Sequence, residues 1–155
     1  MPMLAISLIF LIAAAAQISL VRASCSPATT VLLETLPRFS DPTADRFAAI
    51  DSIALDGRPQ PLKSPLHIRR NQTLEVRGWA RDPHDRRPAI AVYASLDRNV
   101  AAYRASPAAP GSSDFYVAVP TETLAAGAHV IRIRVIDGNP TGYYEPLPAI
   151  RFALR

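Results

Sequence analysis

Cysteine is almost missing from this chain of 155 residues: Cys25 stands alone. No disulfide can form within the chain, so its fold must rest on a hydrophobic core. Glycine is scarce too, six residues against fifteen prolines. Proline cannot donate to a strand ladder or sit inside a helix, so this bias favours a loop-rich fold of short strands. Lysine is reduced to Lys63, the basic excess is carried by arginine, and the formal charge is a modest +4. Acids and bases alternate along the chain, and only Arg69-Arg70 and Arg86-Arg87 approach a basic cluster. Both pairs read as solvated turns, and no nucleic-acid partner is expected. No G-x-S-x-G, HExxH or paired CxxC motif occurs, so neither a hydrolase nor a zinc signature is legible. There is no βαβ rhythm, no stretch with a sustained helical period and no internal repeat.

Hydrophobic residues make up 49% of the chain and charged residues 19%, the composition of a globular protein with room for one core. From Met3 to Val21 there is no charge, as in the apolar segment of a signal peptide or a single membrane span. Val21 and Ala23 put small or apolar side chains before a cut between Ala23 and Ser24, which suits signal peptidase. The expectation is a leader over residues 1–23, a mature chain starting at Ser24 and a secreted or periplasmic product. The alternative is an anchor formed by residues 3–21, which would be the chain's only membrane contact. Cys25 follows the expected cut and invites a lipidation reading, but Arg22 stands where a lipobox needs a Leu-like residue.

Residues 24–45 read as a linker with one apolar patch, Val31, Leu32, Leu33 and Leu36, forming a helical turn or a lead-in strand. From residue 46 to 155 the pattern is alternation, the mark of half-buried strands. Strands are predicted over Phe47–Leu55, Leu66–Ile68, Thr73–Ala80, Ala89–Leu96, Val100–Arg104, Phe115–Val119, His129–Ile136 and Ala149–Leu154. Leu74, Val76, Gly78 and Ala80 share one face. Ile131, Ile133 and Val135 point inward, and Arg132 and Arg134 outward. Short strands with a turn signal roughly every ten residues predict an all-β, antiparallel sandwich of about seven to nine strands, preceded by a hydrophobic export helix.

The run Leu74-Glu75-Val76-Arg77-Gly78-Trp79-Ala80-Arg81-Asp82 resembles a strand of bacterial exported immunoglobulin-like modules, which carry a Gly-Trp-Ala-x-Asp segment. Ile90 to Asp97, Phe115 to Pro120, Leu124 to His129 and Val130 to Gly138 follow in the order those modules use, with Asp97-Arg98 in place of their usual Asp-Gly turn. The resemblance covers most of residues 47–155 and implies an immunoglobulin-like sandwich. It implies no particular function, because such modules serve many.

Two groups of residues are candidates for chemistry. Asp82, His84 and Asp85 share the loop Arg81–Pro88 and offer two carboxylates and an imidazole, a weak metal or hydrolase site whose bland alternative is a solvated loop. Trp79, Tyr93, Tyr143 and Tyr144 are candidate binding aromatics. Tyr143-Tyr144 would be exposed if its loop projects, whereas Trp79 reads better as a core plug between sheets. The leading expectation is a non-enzymatic module without cofactor, whose loops bind a glycan or protein at the cell envelope. A small hydrolase or metal-dependent accessory enzyme using the Asp82 loop is the alternative, and a structural envelope assembly domain is a third.

Overall fold

The computed structural model describes residues 36–39, 44–62, 65–99, 101–136 and 142–155. The expected leader, the cut between Ala23 and Ser24, the Cys25 thiol and the Val31–Leu33 patch lie outside these residues. Among the described residues there is no α-helix, and none long and apolar enough to cross a membrane. Eleven strands follow in order: β1 (Ala48–Leu55), β2 (Arg58–Gln60), β3 (Leu66–Ile68), β4 (Thr73–Ala80), β5 (Ala91–Leu96), β6 (Ala101–Arg104), β7 (Ser106–Pro107), β8 (Asp114–Pro120), β9 (Gly127–Ile136), β10 (Tyr143–Tyr144) and β11 (Ile150–Leu154). They form two sheets in a sandwich-like, all-β arrangement. One has the order β2-β1-β4-β8-β7; the other has β3-β11-β9-β5-β6, with β10 on β9.

Alternation produces this layering. In β4, Leu74, Val76, Gly78 and Ala80 are buried, while Arg77 is exposed and Trp79 half-buried. In β9, Ile131, Ile133 and Val135 are at most 2% exposed. These residues join Leu96, Val117, Val119 and Phe152 in one apolar core built from both sheets. Burial of this kind contributes about 25 cal/mol per Å² of apolar surface. It is the main favourable contribution within the described residues.

Two details of pairing shape the second sheet and its outer face. β3 runs parallel to β11, whereas every other strand pair is antiparallel. The hairpin from β5 to β6 places Leu96 opposite Ala101, and its turn residues Asp97 and Arg98 have φ of 45° and 56°. That left-handed backbone usually calls for Gly or Asn, and here Asp97 is held by side-chain bonds: its Oδ1 accepts from the Val130 N–H at 2.8 Å. On the outer face of the second sheet, Tyr93, Ala102, Ile136 and Tyr143 form a small second cluster against Leu36 and Ala91.

Candidate functional site

Tyr143 and Tyr144 do not project. They are 8% and 5% exposed, which overturns the expectation of an exposed aromatic pair. The cause is backbone pairing on both sides. β10 pairs with Ile136 and Val135 of β9, and the segment Leu36–Phe39 lies along its other edge. There the Tyr143 N–H donates to the Pro37 carbonyl at 3.0 Å and the Phe39 N–H donates to the Tyr143 carbonyl at 2.8 Å. The Phe39 ring then packs 5.5 Å from that of Tyr144. Tyr93 is buried as well, at 7% exposure, in the outer cluster. Trp79 is not the inter-sheet plug. It lies half-buried on the outer face of the first sheet, with the Arg81 guanidinium 5.8 Å from its ring. Beside it, Arg77 stacks on Tyr116 at 5.3 Å. Burial and the neighbouring Glu75 carboxylate raise the Tyr116 phenol above its usual pKa, against the opposing charge of Arg77.

The Asp82 loop is tied internally. Asp82 is 3% exposed; its Oδ1 accepts from the His84 N–H at 2.7 Å, and its backbone closes the turn through Arg86 and Arg87. The Asp85 carboxylate turns to Arg87, accepting its N–H at 2.9 Å. The His84 ring reaches β10, with Nε2 3.0 Å from the Tyr144 hydroxyl. No set of three or more His, Cys, Asp or Glu residues is grouped to hold a metal among the described residues. The processing candidates are Ala23 and Ser24 at the expected cut and Cys25 as the lipidation alternative. All three fall outside the described residues.

Two other features have definite chemistry. A hollow of about 330 Å³ opens between the start of β1 and the stretch before β11, and its described lining, which includes Ala48, Ile50, Leu62, Leu147 and Ile150, is apolar. At the far end of the second sheet, His129 places Nδ1 2.6 Å from Asp97 Oδ2 and Nε2 2.8 Å from the Ala125 carbonyl. Both ring nitrogens face acceptors, so the doubly protonated ring fits best. Burial lowers the His129 pKa, but the hydrogen bonds to Asp97 and Ala125 and the Asp97 charge outweigh it, and the net shift is upward.

The feature that sequence inspection missed is an arginine floor. On β9, Arg132 and Arg134 face outward opposite Ser95 and Tyr93, and Tyr93 is in turn opposite Arg104 of β6. Arg151 of β11 falls on the same face opposite Val130, and Arg38 joins beside β10. Among the described residues, the carboxylate that meets three of these arginines is that of Glu145, which follows β10. Arg134 is buried between Glu145, with Nε 3.1 Å from Oε1, and the Tyr143 ring, 4.4 Å from its guanidinium carbon. Arg38 Nη2 lies 3.4 Å and Arg132 Nε 3.9 Å from the other carboxylate oxygen. Arg38, Arg104, Arg132, Arg134 and Arg151 are scattered over 114 positions of sequence, and only the Arg132/Arg134 alternation was legible beforehand. The opposite outer face is mixed in sign, with Glu75, Arg77 and Asp114 on neighbouring strands.

Comparison with known proteins adds no family to this geometry: no protein-family description matches the chain, and no curated protein sequence matches it either.

Proposed function

We propose that this chain is an exported, non-enzymatic, immunoglobulin-like module that binds a glycan or protein at the cell envelope, with the arginine floor as its contact surface. One observation carries the reading: five arginines and a single glutamate gather on one outer sheet face among the described residues, while the other face is mixed in sign. A one-signed face steers and holds an oppositely charged partner. The immunoglobulin-like assignment draws support from strand order. In that fold the sheets are ABED and CFG, and β1-β4-β8-β7 and β11-β9-β5 can be laid on those strands in the same order. The parallel pairing of an early strand, β3, with the last one is compatible with it. The Asp82 and Asp85 carboxylates accept backbone N–H groups of their own loop, and no metal-holding set is grouped among the described residues, which gives the hydrolase alternative less support.

The test is co-sedimentation of the protein with envelope material isolated from its producing cell. Retention is expected at low salt, with release as ionic strength rises. The double variant Arg104→Glu/Arg132→Glu should stay in the supernatant. Absence of retention by the unaltered protein would sink the proposal.

A further inference from the structure

We infer that the ligand of the arginine floor is a linear acidic polysaccharide, whose carboxylates pair with Arg38, Arg132 and Arg104. The inference rests on the contact surface proposed above and specifies what it holds.

Glu145 is one carboxylate set among three guanidiniums, at 3.1, 3.4 and 3.9 Å. It cannot neutralise them all. Arg134 is packed beneath the surface, so the surplus charge emerges at Arg38 and Arg132, whose side chains are 62% and 38% exposed. A guanidinium carries five N–H donors in a planar fork. Glu145 meets Arg38 through Nη2 and Arg132 through Nε, which leaves other N–H groups of these two solvent-reaching side chains for a ligand. Such forks match a carboxylate with two parallel hydrogen bonds. Arg104 is exposed and lies two strands from Arg134 in the same cross-strand row, about 10 Å away at the usual strand spacing. The cations are thus spread across the strands as a row that successive anionic groups of one chain can meet.

What the face does not expose selects among polyanions. Its aromatic rings, Tyr93 and Tyr143, are buried, so they offer no stacking platform of the kind single-stranded nucleic acid uses. The exposed large hydrophobic residues among those described are Leu62 and Ile90, and neither belongs to the strands of this face. An anionic membrane surface holds a protein best when apolar side chains insert beside the basic ones. A folded protein partner asks for an apolar centre. A uronate chain asks only for ion pairs and hydrogen bonds, which is what this face supplies.

The experiment is a titration of the full chain with oligogalacturonate at low salt. Its arms are the fully methyl-esterified oligomer, poly-glutamate, phosphatidylglycerol vesicles and a single-stranded oligonucleotide. Saturable binding to oligogalacturonate is expected, with none to the ester. Arg38→Gln and Arg132→Gln should each weaken it about fivefold to tenfold, as loss of a charge-assisted hydrogen bond does. Arg104→Gln provides a third variant away from Glu145, and Arg77→Gln on the opposite face should bind like the unaltered protein. Equal binding of the ester, unchanged affinity in the Arg38/Arg132 double variant, or tighter binding of any of the other polyanions overturns the inference. Retention by envelope material without affinity for oligogalacturonate overturns this inference alone. Loss of both overturns the proposed function with it.

Discussion

Gly78 shows what one missing Cβ accomplishes. It faces the core on β4, and a Cβ there would overlap the Ala49 carbonyl oxygen and come within 3.0 Å of the Phe115 ring. β1 makes that approach next to its irregularity between Ile50 and Ser52. Gly78→Ala should therefore push β1 off β4 and cost about 1–3 kcal/mol, the usual range for overpacking, measured as a lower urea midpoint. The need for a small residue at this point was legible from the Gly-Trp pair; the partner was not, because Ala49 lies 29 positions earlier. His129 gives a second residue-scale prediction. Its pKa is raised in the fold, so the stabilisation it contributes is complete below its unfolded value of about 6.5 and is lost as pH rises through the higher folded value. Unfolding midpoints should fall over that window, and the slope should flatten in His129→Gln. An unchanged slope in that variant would remove His129 as the cause.

The strands legible beforehand carry alternating apolar residues, down to the three-residue β3, whose Leu66 and Ile68 flank His67. Those predicted over Thr73–Ala80 and His129–Ile136 correspond to β4 and β9, the second extended to Gly127. β2, β7 and β10 were not foreseen, and each is two or three residues long. A period of two cannot be read from Arg58-Pro59-Gln60 or Ser106-Pro107, where proline argues against a strand altogether. These pieces exist because a neighbouring strand offers an edge. The candidate site suffered the same blindness: β10 carries both tyrosines and leads straight into Glu145, so missing the strand meant misplacing the aromatics and overlooking the carboxylate. Glu145 also ties β10 and Arg38 to β9 through Arg134. Glu145→Ala withdraws the carboxylate from a largely buried guanidinium and should cost about 3 kcal/mol. Hydrogen exchange should quicken first at the Phe39 and Tyr143 amides, whose bonds join Leu36–Phe39 to β10.

Across the whole molecule, the two sheets share one core, and Phe152 is its largest fully buried side chain. Phe152→Ala should cost about 3–5 kcal/mol. Both sheets should lose structure at a single denaturant midpoint, followed by Trp79 fluorescence for the first sheet and far-ultraviolet dichroism for the whole. Separate midpoints would mean that the sheets are independent units. The apolar pattern made the shared core legible. The arginine floor was not, since a sheet face is assembled from residues that only pairing order brings together.

The place of β11 has a consequence for the order of events in the life of the chain. This strand lies between β3 and β9, and the Arg155 N–H donates to the Ile68 carbonyl while its own carbonyl accepts from Arg70. A ribosome delivers Ile150–Leu154 after every other described strand. Until then β3 has no neighbour in its sheet and the Phe152 site in the core stands empty. The described sandwich therefore cannot close before β11 has been made, and pairings between such distant segments form slowly.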